Sequence, residues 1–554
     1  MTASGPKPVT ARELRELIVA GGELAILDLR GEGTFGDGHL LFAVPAALSR
    51  LEMVIDDLVP RLSAPIVLCS EGVADEDLIH TGAERLMGFG YSDISYLKGG
   101  VEAWAGAGFE VFTGVNVPSK AFGECIEVWH QTPHIPATEL QAMMDRGDDM
   151  VIVDSRPMSE FKAMNIPGGI DVPGAELALR IFDIAPDPQT TVVVNCAGRT
   201  RSIIGAQSLI NAGIPNRVVA LENGTMGWHL AGLELEQGAG RSFSAVSVDG
   251  LARAAECAGR VGEKFGVPEI DAATLDRWRN DPTRTLYLLD VRDVREFEAG
   301  HLEGSRPAPG GQLVQATDRT VAVRGARLVL VDDNGVRAMM TASWLIQMGW
   351  SDVHVLKHGL ESASLVTGPH RPRVPGLEDA TPDQVSAKEL AALMVGGGAL
   401  VVDLADSRDH RAGHIPASRF AVRANMPGNL ESLPEKAVIV LTSADGVLAR
   451  LAAADLAPPK ATPKASAGAS GRKIKVLSGG TAAWLKAGHP MAKGFKDALD
   501  EPKDVWVRPY DLDQGNEAAM QAYLGWEVDL TQQIERDGTA NFLDFGAAGE
   551  GGAP

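Results

Sequence analysis

One pattern occurs four times along this 554-residue chain, and it restricts the fold more than any other feature. Each copy reads as an apolar strand ending in Asp, a second apolar strand, a helical stretch, a third strand, and then Gly. The first strands are Leu24–Asp28, Met150–Asp154, Leu286–Asp290 and residues 400–403, with Arg two positions later in three of them (Arg30, Arg156, Arg292). The residues taken to follow the second strands, Cys69, Cys196, Asp332 and Thr442, lie 41, 42, 42 and 39 positions beyond that Asp. Each copy closes on Gly100, Gly224, Gly359 or Gly480, with Trp104, Trp228 and Trp484 four residues on in three copies and Ala363 in the other. A Trp at that place is expected to pack a helix against its sheet.

Repeats of this length form an array of domains and not a solenoid. The strands are rich in Val, Ile and Leu without alternation, which marks strands buried on both faces, and helical patterns lie between them. Each copy is therefore expected to be an α/β domain, a parallel sheet with helices on both faces. Composition breaks between copies, at about 114–132, 237–267 and 368–381, place the domains at 8–113, 133–236, 268–367 and 382–491. Residues 458–472, rich in Ala, Pro, Ser and Lys, read as a flexible surface insertion. A C-terminal extension, 494–554, carries Met520, Tyr523, Leu524, Val528, Leu530 and Ile534 at helical spacing, an apolar face for docking on a domain or for a homodimer contact.

The net charge of −22 argues against nucleic acid and anionic membranes as partners, since it repels both and no Lys/Arg cluster offsets it. Long apolar runs are lacking, and the opening residues break any signal-peptide pattern, so a cytoplasmic protein is expected. Four cysteines (Cys69, Cys125, Cys196, Cys257) are too few and too far apart for a disulfide scaffold or a metal site. Each is weighed as a lone thiol.

Cys196 stands out among them. The run Asn195-Cys196-Ala197-Gly198-Arg199-Thr200-Arg201-Ser202 follows a buried strand and precedes a helical stretch, 203–212, that ends at Gly213. Strand, loop and helix in that order put the sulfur at the carboxyl edge of a parallel sheet and at a helix N-terminus, where free N–H groups and the helix dipole favour an anion. Flanked by Arg199 and Arg201, the thiol is expected to have a lowered pKa and to be a nucleophile. The plain alternative, a buried Cys beside two solvated arginines, fits poorly with Gly and two arginines compressed into six positions.

These residues resemble the rhodanese family of sulfurtransferases. The resemblance rests on the Asp-x-Arg after the first strand, on the six-residue loop from Cys196 to Arg201, and on Gly-His-Ile/Leu elements at residues 38–40, 300–302 and 413–415. The second copy has Asn165 where the others have His, so that His is expected to be a structural hydrogen-bonding group and not a catalytic base. The family implies a Cys196 persulfide formed from a small anionic donor such as thiosulfate and discharged to a thiol or to cyanide, with no cofactor and no metal. Arg199 and Arg201 would hold the sulfonate. The backbone of Ala197, Gly198, Thr200 and Ser202 would stabilise the sulfur anion, and Asp154 and Arg156 would support the loop as an ion pair.

The first copy, with Cys69 in an acidic loop (Glu71, Asp75, Glu76, Asp77), is expected to be degenerate and at most a sulfur relay. The third and fourth, with Asp332 and Thr442, are expected to be inert, although Arg337 could bind an anion weakly. Cys125 and Cys257 read as inert. Three alternatives remain open: a 3-mercaptopyruvate enzyme, a phosphatase or arsenate reductase, and a scaffold with a vestigial thiol. The second is disfavoured because its loop needs Arg six residues after Cys, where this chain has Ser202.

Overall fold

The computed structural model describes residues 5–362, 364–434, 438–457, 472–512 and 514–546. The expected insertion at 458–472 falls, apart from Arg472, outside the described residues, as does Ala363. Four parallel sheets carry the repeat. In the second, the strand order is His134–Ile135, Val218–Leu221, Thr191–Asn195, Met150–Asp154, Ile170–Asp171. Its three central strands are apolar and almost wholly buried, as strands covered on both faces must be. The third and fourth sheets repeat that order, with Arg327–Val331 and Val438–Thr442 at the centre.

The sheet register corrects the alignment of the copies. The first-strand Asp pairs with Asn195 in the second copy, and its counterparts pair with Cys69, Val331 and Thr442 in the others. Cys69 and Thr442 are thus last residues of their strands, equivalent to Asn195. The positions equivalent to Cys196 are Ser70, Asp332 and Ser443. The closing turns agree, since Val101, Thr225, Leu360 and Thr481 donate their N–H to the carbonyls of Ser70, Cys196, Asp332 and Ser443. A one-residue slip turns a side chain to the other face of its sheet. Cys69 accordingly lies with Val67 and Trp104 in the apolar core, 0% exposed, and its thiol is pushed far up by burial. The sulfur-relay expectation fails on that geometry.

The Asp-x-Arg and His elements form one structural lock. Arg156 binds Asp154 through Nε and Nη2 (2.9 and 2.8 Å) and reaches the Met164 carbonyl at 2.6 Å. Arg30 and Arg292 do the same with Asp28 and Asp290 and with the carbonyls of Gly38 and Gly300. The fourth copy lacks that Arg, and His410 Nδ1 meets Asp403 instead, at 2.8 Å. His301 and His414 set Nδ1 2.8 and 2.7 Å from the carbonyl four residues back. Asn165 donates through Nδ2 to the equivalent carbonyl of Phe161 at 3.1 Å, so an amide serves where imidazole serves in the third and fourth copies, whereas His39 sets Nδ1 2.8 Å from the Leu40 carbonyl. Trp104, Trp228 and Trp484 are buried, and each donates its indole N–H to a carbonyl six residues on.

Two of the segments between copies are helices and not open linkers. Val117–His130 starts with Pro118 in its first turn, a position where proline costs no hydrogen bond. Val248–Phe265 is capped by the Ser247 hydroxyl and buries Ala254, Cys257, Ala258, Val261 and Phe265 in the core of the second domain. The copies also interlock. Val323–Arg324, from the third copy, adds an antiparallel strand to Leu24–Asp28 of the first. The C-terminal helix, Asn516–Asp537, packs along Val117–His130. It buries Met520, Leu524, Leu530 and Ile534, whereas Val528, expected on that face, is 47% exposed.

Candidate active site

The helix after Cys196 spans Thr200–Ala212, three residues longer at its start than the apolar pattern suggested, and Gly213 caps it in the left-handed region. Cys196 therefore heads a six-residue loop whose last N–H groups belong to the first helical turn. Gly224 holds the loop from beneath. Its φ is +54°, and a Cβ there would lie 2.3 Å from the Cys196 carbonyl, so only glycine fits. At Gly198 the constraint is softer, since a Cβ would meet only the flexible ends of Met226 (Cε, 2.8 Å) and Glu527 (Oε2, 3.2 Å).

Cys196 is 2% exposed, yet it lines a cavity of about 310 Å³ together with Ala197, Gly198, Arg199, Thr200 and Arg201. Every part of the chain contributes to this cavity. Glu32 comes from the first domain, Asn116 and Lys120 from the interdomain segment, Gln312, Gln315 and Arg319 from the third domain, and Arg408 from the fourth. The C-terminal segment adds Trp506, Arg508, Tyr510, Tyr523 and Glu527. Of these, sequence reasoning singled out only Tyr523, and that as part of an apolar docking face and not of a site. The helical stripe Lys120, Gly123, Glu124, Glu127, at i, i+3, i+4, i+7, was a legible signal inside a segment read only as a boundary.

The two loop arginines do not stand free. Arg199 gives Nε and Nη2 to Glu124, both at 2.8 Å, reaches Glu127 with Nη2, and lies 3.4 Å from Asn223 Oδ1 through Nη1. Arg201 forks onto Glu160 (3.1 and 2.8 Å) and contacts Gln312 Oε1 at 3.4 Å. Their charges are largely balanced in place. The expectation of a depressed thiol pKa is accordingly corrected. Burial pushes the Cys196 thiol above its ordinary range; Arg201 and the hydroxyl and N–H of Ser202 oppose that rise, and the Asp154 carboxylate adds to it. The thiol lies 3.5 Å from Ser202 Oγ, whose own proton goes to the Arg199 carbonyl at 2.8 Å.

Asp154 and Arg156 lie below the cavity, and Asn195 Nδ2 joins them by donating to Asp154 at 2.7 Å. The pair fixes the end of the strand that carries the loop. Ser202 touches the sulfur without lining the cavity, and Trp228 is packed with Ile135 and Leu221, away from it.

In the third and fourth copies the equivalent side chains are tied to their own loops. Asp332 fills its own cradle, accepting from the N–H groups of Gly335 (2.6 Å) and Ala338 (3.1 Å). Arg337, counterpart of Arg201, is bound by Glu176, Glu296 and Asp333, so it offers no anion site. In the fourth copy the Ser443 hydroxyl accepts from Ala449 at 3.3 Å. Cys125 is pushed up to about 12 by burial, and Cys257 is also raised, beside Arg260. Among the described residues no cluster of His, Cys, Asp and Glu is arranged to hold a metal ion, and no helix is long and apolar enough to cross a membrane.

Comparison with known proteins gives three results. The family model described as rhodanese-like domain matches residues 10–107, 136–231, 271–364 and 386–487. A crystal structure of thiosulfate sulfurtransferase from Pseudomonas aeruginosa is 46% identical, with a TM-score of 0.91 over 97% of this chain and 99% of that one. Among curated proteins, the HTH-type transcriptional regulator Rv0324 of Mycobacterium tuberculosis is 33% identical over 19% of this chain, and thiosulfate sulfurtransferase GlpE of Pseudomonas aeruginosa 34% identical over 13%. The chain spans 45% of the former and 66% of the latter.

Proposed function

The chain belongs to the rhodanese-like domain family, and from that premise we propose that it is a thiosulfate sulfurtransferase working through a Cys196 persulfide. The observation that carries this reading is the position of Cys196. Its sulfur heads the cysteine loop of the second domain and opens on a cavity lined by cationic side chains, while the three equivalent positions hold Ser70, Asp332 and Ser443. The similarity to the Pseudomonas aeruginosa sulfurtransferase structure over nearly the whole chain supports it.

In the first step the Cys196 thiolate attacks the outer sulfur of thiosulfate. The S–S bond of the donor breaks, its electron pair leaves with sulfite, and the enzyme keeps a Cys–S–S⁻ persulfide. Arg201 and the N–H of Ser202 favour the negative sulfur in both states. In the second step a nucleophile, cyanide or a thiolate, attacks the outer persulfide sulfur and the Cys196 thiolate departs. The cavity is lined by residues of all four domains and the C-terminal segment, and the Cys196 it reaches is only 2% exposed, which suits a small acceptor better than a cysteine on a folded partner. The apolar face of the C-terminal helix is used within the chain, so it does not support a homodimer through that face.

The test is intact mass after thiosulfate treatment. The wild type gains one sulfur that reductant removes, and Cys196→Ser gains none and turns over neither thiosulfate nor 3-mercaptopyruvate. Turnover that persists in Cys196→Ser refutes the assignment. Preference for 3-mercaptopyruvate in the wild type would replace the donor and keep the nucleophile.

A further inference from the structure

With Arg199 and Arg201 both engaged by glutamates, the cavity needs another cation for a dianionic donor. Lys120 meets that need. It lies on the interdomain helix, on the stripe whose Gly123 packs against Thr200, with a Cβ there only 2.8 Å from Thr200 Cγ2, and whose Glu124 and Glu127 hold Arg199. That stripe faces the cysteine loop, and Lys120 lines the same cavity as Cys196.

The lysine is 4% exposed. Its ammonium is held by three aromatic faces, Trp506, Tyr523 and Trp526, at 5.2, 5.0 and 4.9 Å from their centroids. Among the described residues its Nζ donates to no oxygen. Arg319, by contrast, is occupied by Glu32 and Asn116, and Arg508, more than a third exposed, donates to Tyr510 and faces Asp511 at 3.9 Å. Arg408 also shows no ion pair among the described residues but is solvent-exposed. Rings hold a cation without using its hydrogen-bond donors, so Lys120 keeps three N–H groups for a ligand.

We infer that Lys120 is the residue that binds the sulfonate end of the donor, and that the buried Glu527 carboxyl opposite it competes with that anion. This deepens the sulfurtransferase reading and rests on it for the identity of the donor. Glu527 accepts from Tyr523 at 2.9 Å and from Thr200 at 3.5 Å through Oε1, while its buried Oε2 has no hydrogen-bond partner. Burial raises this carboxyl and lowers the Lys120 ammonium, while each favours the charged form of the other. A sulfonate beside Lys120 replaces the carboxylate as counter-ion, so donor binding draws a proton onto Glu527.

The experiment measures thiosulfate binding by calorimetry in the full-length Cys196→Ser background, where no transfer can occur. Lys120→Met, which keeps the length and suits the aromatic faces, should weaken binding by about tenfold or more, the loss expected on removing a charged donor. Lys120→Arg should retain most of the affinity, and Glu527→Gln should tighten it. A purely structural lysine would not give opposite signs for Lys120→Met and Glu527→Gln. Unchanged binding in Lys120→Met, or no binding in the parent protein, overturns the inference. Lys120-dependent binding together with a wild type that never forms a persulfide would keep the anion site and sink the sulfurtransferase reading. Should Lys120→Met fail to fold, Lys120→Arg and Glu527→Gln decide: weaker binding in Glu527→Gln refutes the competition.

Discussion

Arg201 and Glu160 form a two-pronged ion pair, Nη1 to Oε1 at 3.1 Å and Nη2 to Oε2 at 2.8 Å, at the wall of the cavity that Cys196 opens on. The third domain repeats it as Arg337 and Glu296, although no thiol is present there. The pair is thus part of the framework of these domains, and the site uses what remains of the arginine's field.

Glu160→Gln removes the charge that balances Arg201 while keeping an oxygen for a hydrogen bond. The Cys196 thiol pKa should then fall by roughly 1 unit, the usual effect of an opposite charge at short range. Stability should fall by about 3 kcal/mol, because a buried guanidinium loses its partner. Iodoacetamide alkylation against pH, with thermal unfolding alongside, reads both effects. An unchanged alkylation profile would show that Arg201 does not act on the sulfur.

The pH dependence of the free thiol follows from burial. Because its pKa is raised above the ordinary value of 9.0, the thiolate is the minor form at neutral pH. The alkylation rate at Cys196 should therefore climb about tenfold per pH unit through the neutral range, without levelling off below pH 9. A plateau near pH 7 would mean that the arginines outweigh burial.

Cys69→Ser should leave sulfur transfer unchanged within about twofold, since its side chain points into the core of the first domain and not into the Cys196 cavity. It should cost about 1–3 kcal/mol, because a hydroxyl enters an apolar cluster. Loss of turnover in a protein that remains folded would restore the relay that the strand register excludes.

Asp332→Asn weakens two charge-assisted hydrogen bonds, from Gly335 and Ala338, and leaves an amide N–H₂ beside N–H donors. The third domain should lose about 2 kcal/mol in denaturant unfolding, with transfer activity preserved. Activity that falls before stability does would tie this loop to the working site.

The repeat, the four α/β domains and the second copy as the one that keeps a cysteine loop were legible in the sequence, because they depend on local periodicity and on residues close together in the chain. The Asp-x-Arg lock was legible for the same reason, and Asn165 in place of His predicted a structural role that the Asn165–Phe161 hydrogen bond bears out. The alignment of Cys69 with Cys196 went wrong by one residue. Strand ends in an apolar run carry no mark of their last paired position, and only the partner strand sets it.

The thiol's electrostatics lay beyond sequence reasoning. Two arginines next to a cysteine imply a depressed pKa only if their charges are free. Glu124 and Glu127, over 70 positions from Arg199, and Glu160, over 40 from Arg201, balance them. Likewise Lys120, Gln312, Tyr510 and Glu527 come from elements scattered along the chain. By itself the sequence determined which strands form and that a Cys–Arg loop joins strand to helix in the second copy, since covalent neighbours decide those. Tertiary structure alone decided that the first copy has no equivalent thiol, and how buried and how well balanced in charge the Cys196 thiol is, because strand register, burial and Coulomb interactions depend on distance through space and not on distance along the backbone.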